Sequence, residues 1–298
     1  MTITLHPLAT AAAVGLLSGT HAAIWGMYKD AAHEGFSAAR FARSPAVGAA
    51  AAVAIQWALG LAVPEPAALV LLFGLAYAGE RGVVEVWKTF VRDEDQAKYT
   101  IPMQFTLLGT PVASRGGRAA AGAAYVAVVA LGLTAVARLD GGAPPAPYRV
   151  ALVGLAAGAI IAVGGAWKDA PTEGFEPLKF FRSPGVTAAL ALALSRLTGS
   201  HLLAVAAAVG FERAVSETYK TFFFPSVPRG KFAGKPVVDP GMLTRRRRFV
   251  PTYVAIWAAV LAAWGVALGA PPRGAASRGA ARGAPAASAG AAWAGDRS

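Results

Sequence analysis

The chain has 298 residues, of which 55% are hydrophobic and only 15% charged, with a mean hydropathy of +0.48. Soluble domains carry about a quarter of their residues charged, so these values exclude an ordinary water-soluble globule and point to an integral membrane protein. Lys and Arg outnumber Asp and Glu by 28 to 16, and the absence of Cys excludes a disulfide scaffold, a thiol nucleophile and a Cys-ligated metal.

A hydrocarbon core about 30 Å thick takes roughly 20 apolar residues in a helix. Eight stretches approach that length, near residues 7–28, 46–63, 66–89, 119–138, 150–167, 185–200, 201–222 and 249–269. The first is expected to be a retained span, because nothing basic precedes its apolar run and its counterpart recurs in mid-chain, where no signal peptide sits. After Gly269 the run PPRGAASRGAARGAPAASAGAAWAGDRS holds too little apolar bulk to offset the entropy of ordering, so this tail is expected to be disordered.

Orientation follows from the basic residues. With the N-terminus outside, 21 Lys and Arg fall in or beside the links between spans 1 and 2, 3 and 4, 5 and 6, and 7 and 8, whereas only Arg138, Arg149 and Arg196 fall on the other side when the tail is set aside. Cationic loops resist translocation, so the crowded side is the cytoplasm. The expected location is the cell inner membrane, multi-pass, with the N-terminus and the C-terminal tail both on the non-cytoplasmic side. The run Arg245 to Arg248 reads as a topology anchor beside the bilayer and not as a nucleic-acid site.

The chain also resembles itself. KDAAHEGFSAARFARSP at 29–45 lies over KDAPTEGFEPLKFFRSP at 168–184 without a gap, with ten identities in 17 positions. ERGVVEVWKTF at 80–90 lies over ERAVSETYKTF at 212–222, with seven identities in 11. Each unit holds four spans, and an even number places both copies in the same orientation. The expected fold is therefore an all-α membrane protein of eight transmembrane helices, arranged as two parallel four-helix repeats about an axis along the membrane normal. Residues 1–140 form the first repeat, 141–270 the second and 271–298 the tail.

In the first block Gly35 and Gly174 suit a turn with positive φ. Ser44-Pro45 and Ser183-Pro184 read as an N-cap followed by a first-turn proline that opens the next span. Phe36, Phe41, Phe175 and Phe180 are expected to anchor the link at the interface, with Trp25 and Trp167 as ordinary interface aromatics. In the second block Arg81, Glu85 and Lys88 share one helical stripe, as do Arg213, Glu217 and Lys220, so each set can form a ladder of ion pairs. Glu212 lies about 16 Å inside its span at 1.5 Å per residue. A carboxylate at that depth is costly unless paired, and with Glu80 it is either a functional group or a lock to the basic residues of the first block.

Asp30 and Glu34, or Asp169 and Glu173, have a spacing that could hold Mg²⁺, the one candidate cofactor. Lys29, Arg43, Arg81, Lys88, Lys168, Arg182, Arg213 and Lys220 suit a phosphate or lipid headgroup. The catalytic candidates are Asp30, Glu34, Glu80, Glu85, Asp169, Glu173, Glu212 and Glu217. KDAPTEGF at 168–175 resembles the second acidic motif of the intramembrane prenyltransferases, a family that carries two Asp-rich motifs one internal repeat apart and uses Mg²⁺ to bind a prenyl diphosphate. That resemblance covers about eight residues in each half. No Asn-Asp-x-x-Asp motif occurs, and the motif follows spans 1 and 5 instead of 2 and 6.

Walker, dinucleotide-binding, His-Glu-x-x-His and Gly-x-Ser-x-Gly signatures are absent, and His6, His21, His33 and His201 do not recur between halves. Glycine and lysine at 230–236 read as a solvated basic loop. The functional expectation is a duplicated cytoplasm-facing charged site that binds or modifies a phosphorylated lipid or isoprenoid, with membrane lipids as partners and no nucleic acid. The alternatives are a transporter or channel along the pseudo-two-fold axis, lined by Glu80 and Glu212, and a non-catalytic scaffold.

Overall fold

A computed structural model of the protein describes residues 6–140, 146–223 and 230–270. The expected tail, residues 271–298, lies outside them, as does Arg229. Among these residues the regular structure is all-helical apart from a hairpin of two two-residue strands. Helix α1 (Pro7–Glu34) folds back on α2 (Ala38–Leu59) and leads to α3 (Pro66–Val86), which ends in a π-helical turn at Trp87–Val91. Strands β1 (Thr106–Leu107) and β2 (Thr110–Pro111) pair antiparallel before α4 (Arg115–Ala137), which a 3₁₀ turn extends to Asp140. Then come α5 (Pro147–Glu173), α6 (Pro177–Leu194) and α7 (His201–Thr218), the last with a second π-helical turn at Tyr219–Phe223. The short α8 (Gly241–Arg245) and a 3₁₀ turn precede α9 (Val250–Gly269).

Five of these helical segments are long and apolar enough to cross a membrane: Pro7–Glu34, Pro66–Val91, Arg115–Asp140, Pro147–Glu173 and Gly241–Gly269. The other three long helices are α2, α6 and α7. Their sequences explain the difference, since α2 carries Arg40 and Arg43, α6 carries Lys179 and Arg182, and α7 carries Glu212, Arg213 and Glu217.

The Gly turns form as the sequence predicts, with φ of 74° at Gly35 and 81° at Gly174, and the backbone N–H of each caps the helix it ends. The Ser-Pro reading is corrected. Helix α2 starts at Ala38, where the Ser37 hydroxyl accepts the Arg40 N–H, and α6 starts at Pro177, which already takes the first-turn position expected of Pro184. Pro45 and Pro184 therefore sit inside their helices. Close packing accounts for the extra turns, because Gly19 on α1 lies against the Ser44 carbonyl and Gly158 on α5 lies against the Ser183 carbonyl. A Cβ at either glycine would run into backbone, so each hairpin holds its helices at the separation that only small residues allow.

Helices α1, α2 and α3 pack on one another pairwise, and so do α5, α6 and α7. The two groups meet where α3 crosses α7, at Gly74 and Gly210. Around that crossing lies the main core cluster, which includes Val70, Phe73, Tyr77, Leu194, Phe211, Ile256 and Val260. Phe73 and Phe211 stack across it with ring centroids 5.6 Å apart.

Candidate functional site

The α3–α7 crossing sets both Glu-Arg dipeptides at one end of the bundle, and the α1–α2 and α5–α6 hairpins bring the first-block charges to the same end. Glu80 and Glu212 are fully buried, with exposures of 0% and 1%. In the first half Arg81 folds onto its neighbour and donates from Nε and Nη2 to the two oxygens of Glu80, at 2.5 and 2.7 Å. Its Nη1 is 3.7 Å from Glu85, the ladder partner predicted from spacing. In the second half Arg213 instead pairs with Glu217 at 3.1 Å, and Glu217 also holds Lys29 at 3.0 Å and Lys220 at 3.6 Å. Glu212 makes no ion pair among the described residues; its Oε1 accepts from the hydroxyls of Ser183 at 2.7 Å and Ser216 at 2.8 Å.

The second ladder is thus complete as expected from the sequence, the first stops at Arg81 and Glu85, and the lock between halves is not the one expected. Glu217, and neither Glu80 nor Glu212, receives a first-block cation from the opposite half, Lys29. Among the eight cations singled out in the sequence, Arg43, Lys88, Lys168 and Arg182 have no carboxylate within 4.0 Å among the described residues. Lys88 and Lys168 both lie within electrostatic reach of Glu85, which is partly exposed, and Arg43 rests over the Trp87 ring at 5.0 Å. Four cations without a carboxylate within 4.0 Å at this end suit an anion.

The acidic pairs of the first block are spanned by ammonium groups. Lys231 Nζ sits 3.0 Å from Asp30 and 2.8 Å from Glu34, and Lys179 Nζ sits 3.1 Å from Asp169 and 2.8 Å from Glu173. No group of three or more His, Cys, Asp or Glu placed to hold a metal ion occurs among the described residues. The residues proposed for Mg²⁺ therefore present two carboxylates each, with a lysine between them. Arg40 pairs with Glu34 at 2.8 Å in the first half, the place Lys179 takes in the second.

The 230–236 loop is corrected too. Lys231 lies over Tyr99 and Phe232, at 5.3 and 4.7 Å from the ring centroids, and its carbonyl accepts the Thr100 N–H at 2.7 Å. Thr100 Oγ1 donates to Ala233 and Lys235 Nζ to Ala97, so the loop is strapped to the 92–105 segment. Burial works against the Lys231 charge, but Asp30 and Glu34 outweigh it and hold the ammonium pKa above its ordinary range. Arg246, within the run expected as an anchor, donates to the Tyr28 carbonyl at 2.6 Å.

Trp25 is the residue that sequence reasoning most misplaced. It is buried, and Lys29, Arg81 and Arg213 lie 5.3, 5.3 and 5.9 Å from its ring. Its Nε1 donates to the Tyr77 hydroxyl at 2.7 Å, and that hydroxyl is also 3.1 Å from Nδ1 of His21. A second missed feature is the pair of π-helical turns, which occupy equivalent positions in the two second blocks and carry Lys88 and Lys220. Such turns recur at functional sites. Comparison of the chain with protein-family models, curated proteins and solved structures returns no match.

Proposed function

We propose that the protein is an eight-span membrane protein of two parallel four-helix repeats whose charged end lies at the cytoplasmic leaflet and binds the phosphorylated headgroup of a membrane lipid or isoprenoid. The observation that carries this reading is the pair Lys88 and Lys168, which flank the partly exposed Glu85 without an ion pair of their own. Arg43 and Arg182 add two guanidinium groups without carboxylate partners. The shared hairpin packing at Gly19 and Gly158, and the matched π-helical turns, support the repeat. Phosphate oxygens accept hydrogen bonds from such cations more strongly than neutral acceptors do.

A path along the pseudo-axis is disfavoured by the α3–α7 contact, where Gly74 and Gly210 meet backbone to backbone. Glu80 and Glu212 are also buried instead of lining an opening.

The test is lipid retention by the full chain in nanodiscs, read by native mass spectrometry with phosphatidic acid, a prenyl phosphate and phosphatidylcholine as probes. The phosphorylated lipids should be retained over phosphatidylcholine, and Lys88→Ala with Lys168→Ala should abolish the preference. Equal retention of all three would refute the reading. Topology is checked separately by reporter fusions, which should read cytoplasm after residues 35, 95, 175 and 235 and exterior after 64 and 143.

A further inference from the structure

The second-half carboxylate carries an unmet requirement that the first half satisfies internally. Glu80 has both oxygens on the Arg81 guanidinium. Glu212, its repeat equivalent, has both of its hydrogen bonds on Oε1, while Oε2 is buried without a partner. Arg213 interacts with Glu212 only through space, because its Nη2 is engaged by Glu217. The sequence supplies the reason for the difference: position 216 is Ser where the equivalent position 84 is Val, so only the second half has a hydroxyl one turn below its glutamate.

A buried carboxylate without an ion pair is costly, and satisfying one oxygen does not relieve the other. A small hard cation removes both costs, since it binds Oε2 directly and accepts coordination from hydroxyl oxygens. Hydroxyls rotate, so Ser183 and Ser216 can turn a lone pair toward such an ion.

We propose that Glu212, Ser183 and Ser216 form a binding site for a small monovalent cation of the Na⁺ type, taking the place that Arg81 takes beside Glu80. The site is separate from the Lys88–Lys168 anion site, and neither proposal depends on the other.

The experiment uses the full-length protein in detergent and measures saturable binding of radiolabelled Na⁺ together with the melting temperature in NaCl, KCl or choline chloride at matched ionic strength. Na⁺ is expected to bind and to raise the melting temperature above that in choline, because a ligand that binds only the native state stabilises it. Ser216→Ala should weaken Na⁺ binding about tenfold, equivalent to about 1.4 kcal/mol, and Ser216→Thr should restore it. Glu212→Gln should abolish binding. Absence of Na⁺ binding by the wild type, or binding that survives Ser216→Ala unchanged, would overturn the proposal. Should Glu212→Gln fail to fold, the Ala and Thr pair at position 216 still decides the matter, since neither removes the carboxylate.

Discussion

The Glu-Arg dipeptide occurs once on each central helix, and its two copies are stabilised in different ways. At residues 80 and 81 the pair closes on itself, while at 212 and 213 it opens, with the arginine drawn one turn along to Glu217 and the glutamate left to two serines. One substitution between the halves, Val84 against Ser216, gives Glu212 a hydroxyl that Glu80 lacks. The contrast teaches that near-identical sequence in a buried polar network does not fix its pairing.

The largest effect expected from breaking the contrast is at Glu217. It holds three cations and is almost wholly buried, so Glu217→Gln should cost about 3 to 5 kcal/mol, the range for removing one member of a buried ion network. Glu85→Gln, at the equivalent but partly exposed position, should cost under about 1 kcal/mol. Denaturant unfolding in detergent measures both. Similar losses would mean that the two ladders carry equal load and that the asymmetry has no energetic meaning.

Next comes the crossing itself. A Cβ at Gly210 would strike the Gly74 carbonyl, so Gly210→Ala should destabilise by about 1 to 3 kcal/mol through overpacking. Gly82 on α3 faces open space, and Gly82→Ala should instead stabilise by up to about 1 kcal/mol through helix propensity. Opposite signs of the melting shift are the expected outcome.

A smaller effect distinguishes the serines. Ser183→Ala removes a hydrogen bond to a buried carboxylate and should cost about 1 to 3 kcal/mol. Ser44, its equivalent, makes no side-chain hydrogen bond among the described residues, and Ser44→Ala should be close to neutral. Equal costs at the two serines, measured by the same unfolding experiment, would show that the hydroxyl on Glu212 is not what separates the halves.

The smallest effect concerns the loops. Burial opposes the Glu94 charge, but its bonds to Lys98 and Tyr99 and the nearby Arg92 outweigh it and place its folded pKa below the ordinary 4.5. That contribution is complete above the unfolded value and is lost as pH falls through the folded one. Lys231 behaves oppositely, its contribution being complete below 10.5 and lost only in strong alkali. Acidification from neutral pH to about 3 should therefore loosen residues 92–105 by under about 1 kcal/mol while Lys231 stays charged. Hydrogen exchange across that segment, compared with α3, reads the change.

Much of this was legible in the sequence. The all-helical fold with its long apolar helices, the Gly35 and Gly174 turns and the i,i+4 pairs Arg81–Glu85 and Arg213–Glu217 follow from local spacing, which neighbouring residues determine by themselves. What was not legible depends on which helix faces which. Lys29 on Glu217, Ser183 on Glu212 and Lys231 on Asp30 join residues far apart in the chain, and no periodicity encodes such choices. Trp25 was read as an interface aromatic because nothing near it in sequence reveals Tyr77, 52 positions on, as the acceptor for its indole. Pro184 misled for a related reason: its local signature is a helix start, but Pro177 fills that position and the α5 contact favours the longer helix.

Trp25 also gives the molecule an optical reporter of its own. Its indole N–H is pinned to Tyr77 and its ring lies beside Lys29, Arg81 and Arg213, so its excited-state dipole senses the field of those three charges. An anion that draws any of them away changes that field and shifts the emission wavelength. With the other six tryptophans replaced by phenylalanine, the colour of one residue would report occupancy of the charged end without any attached dye.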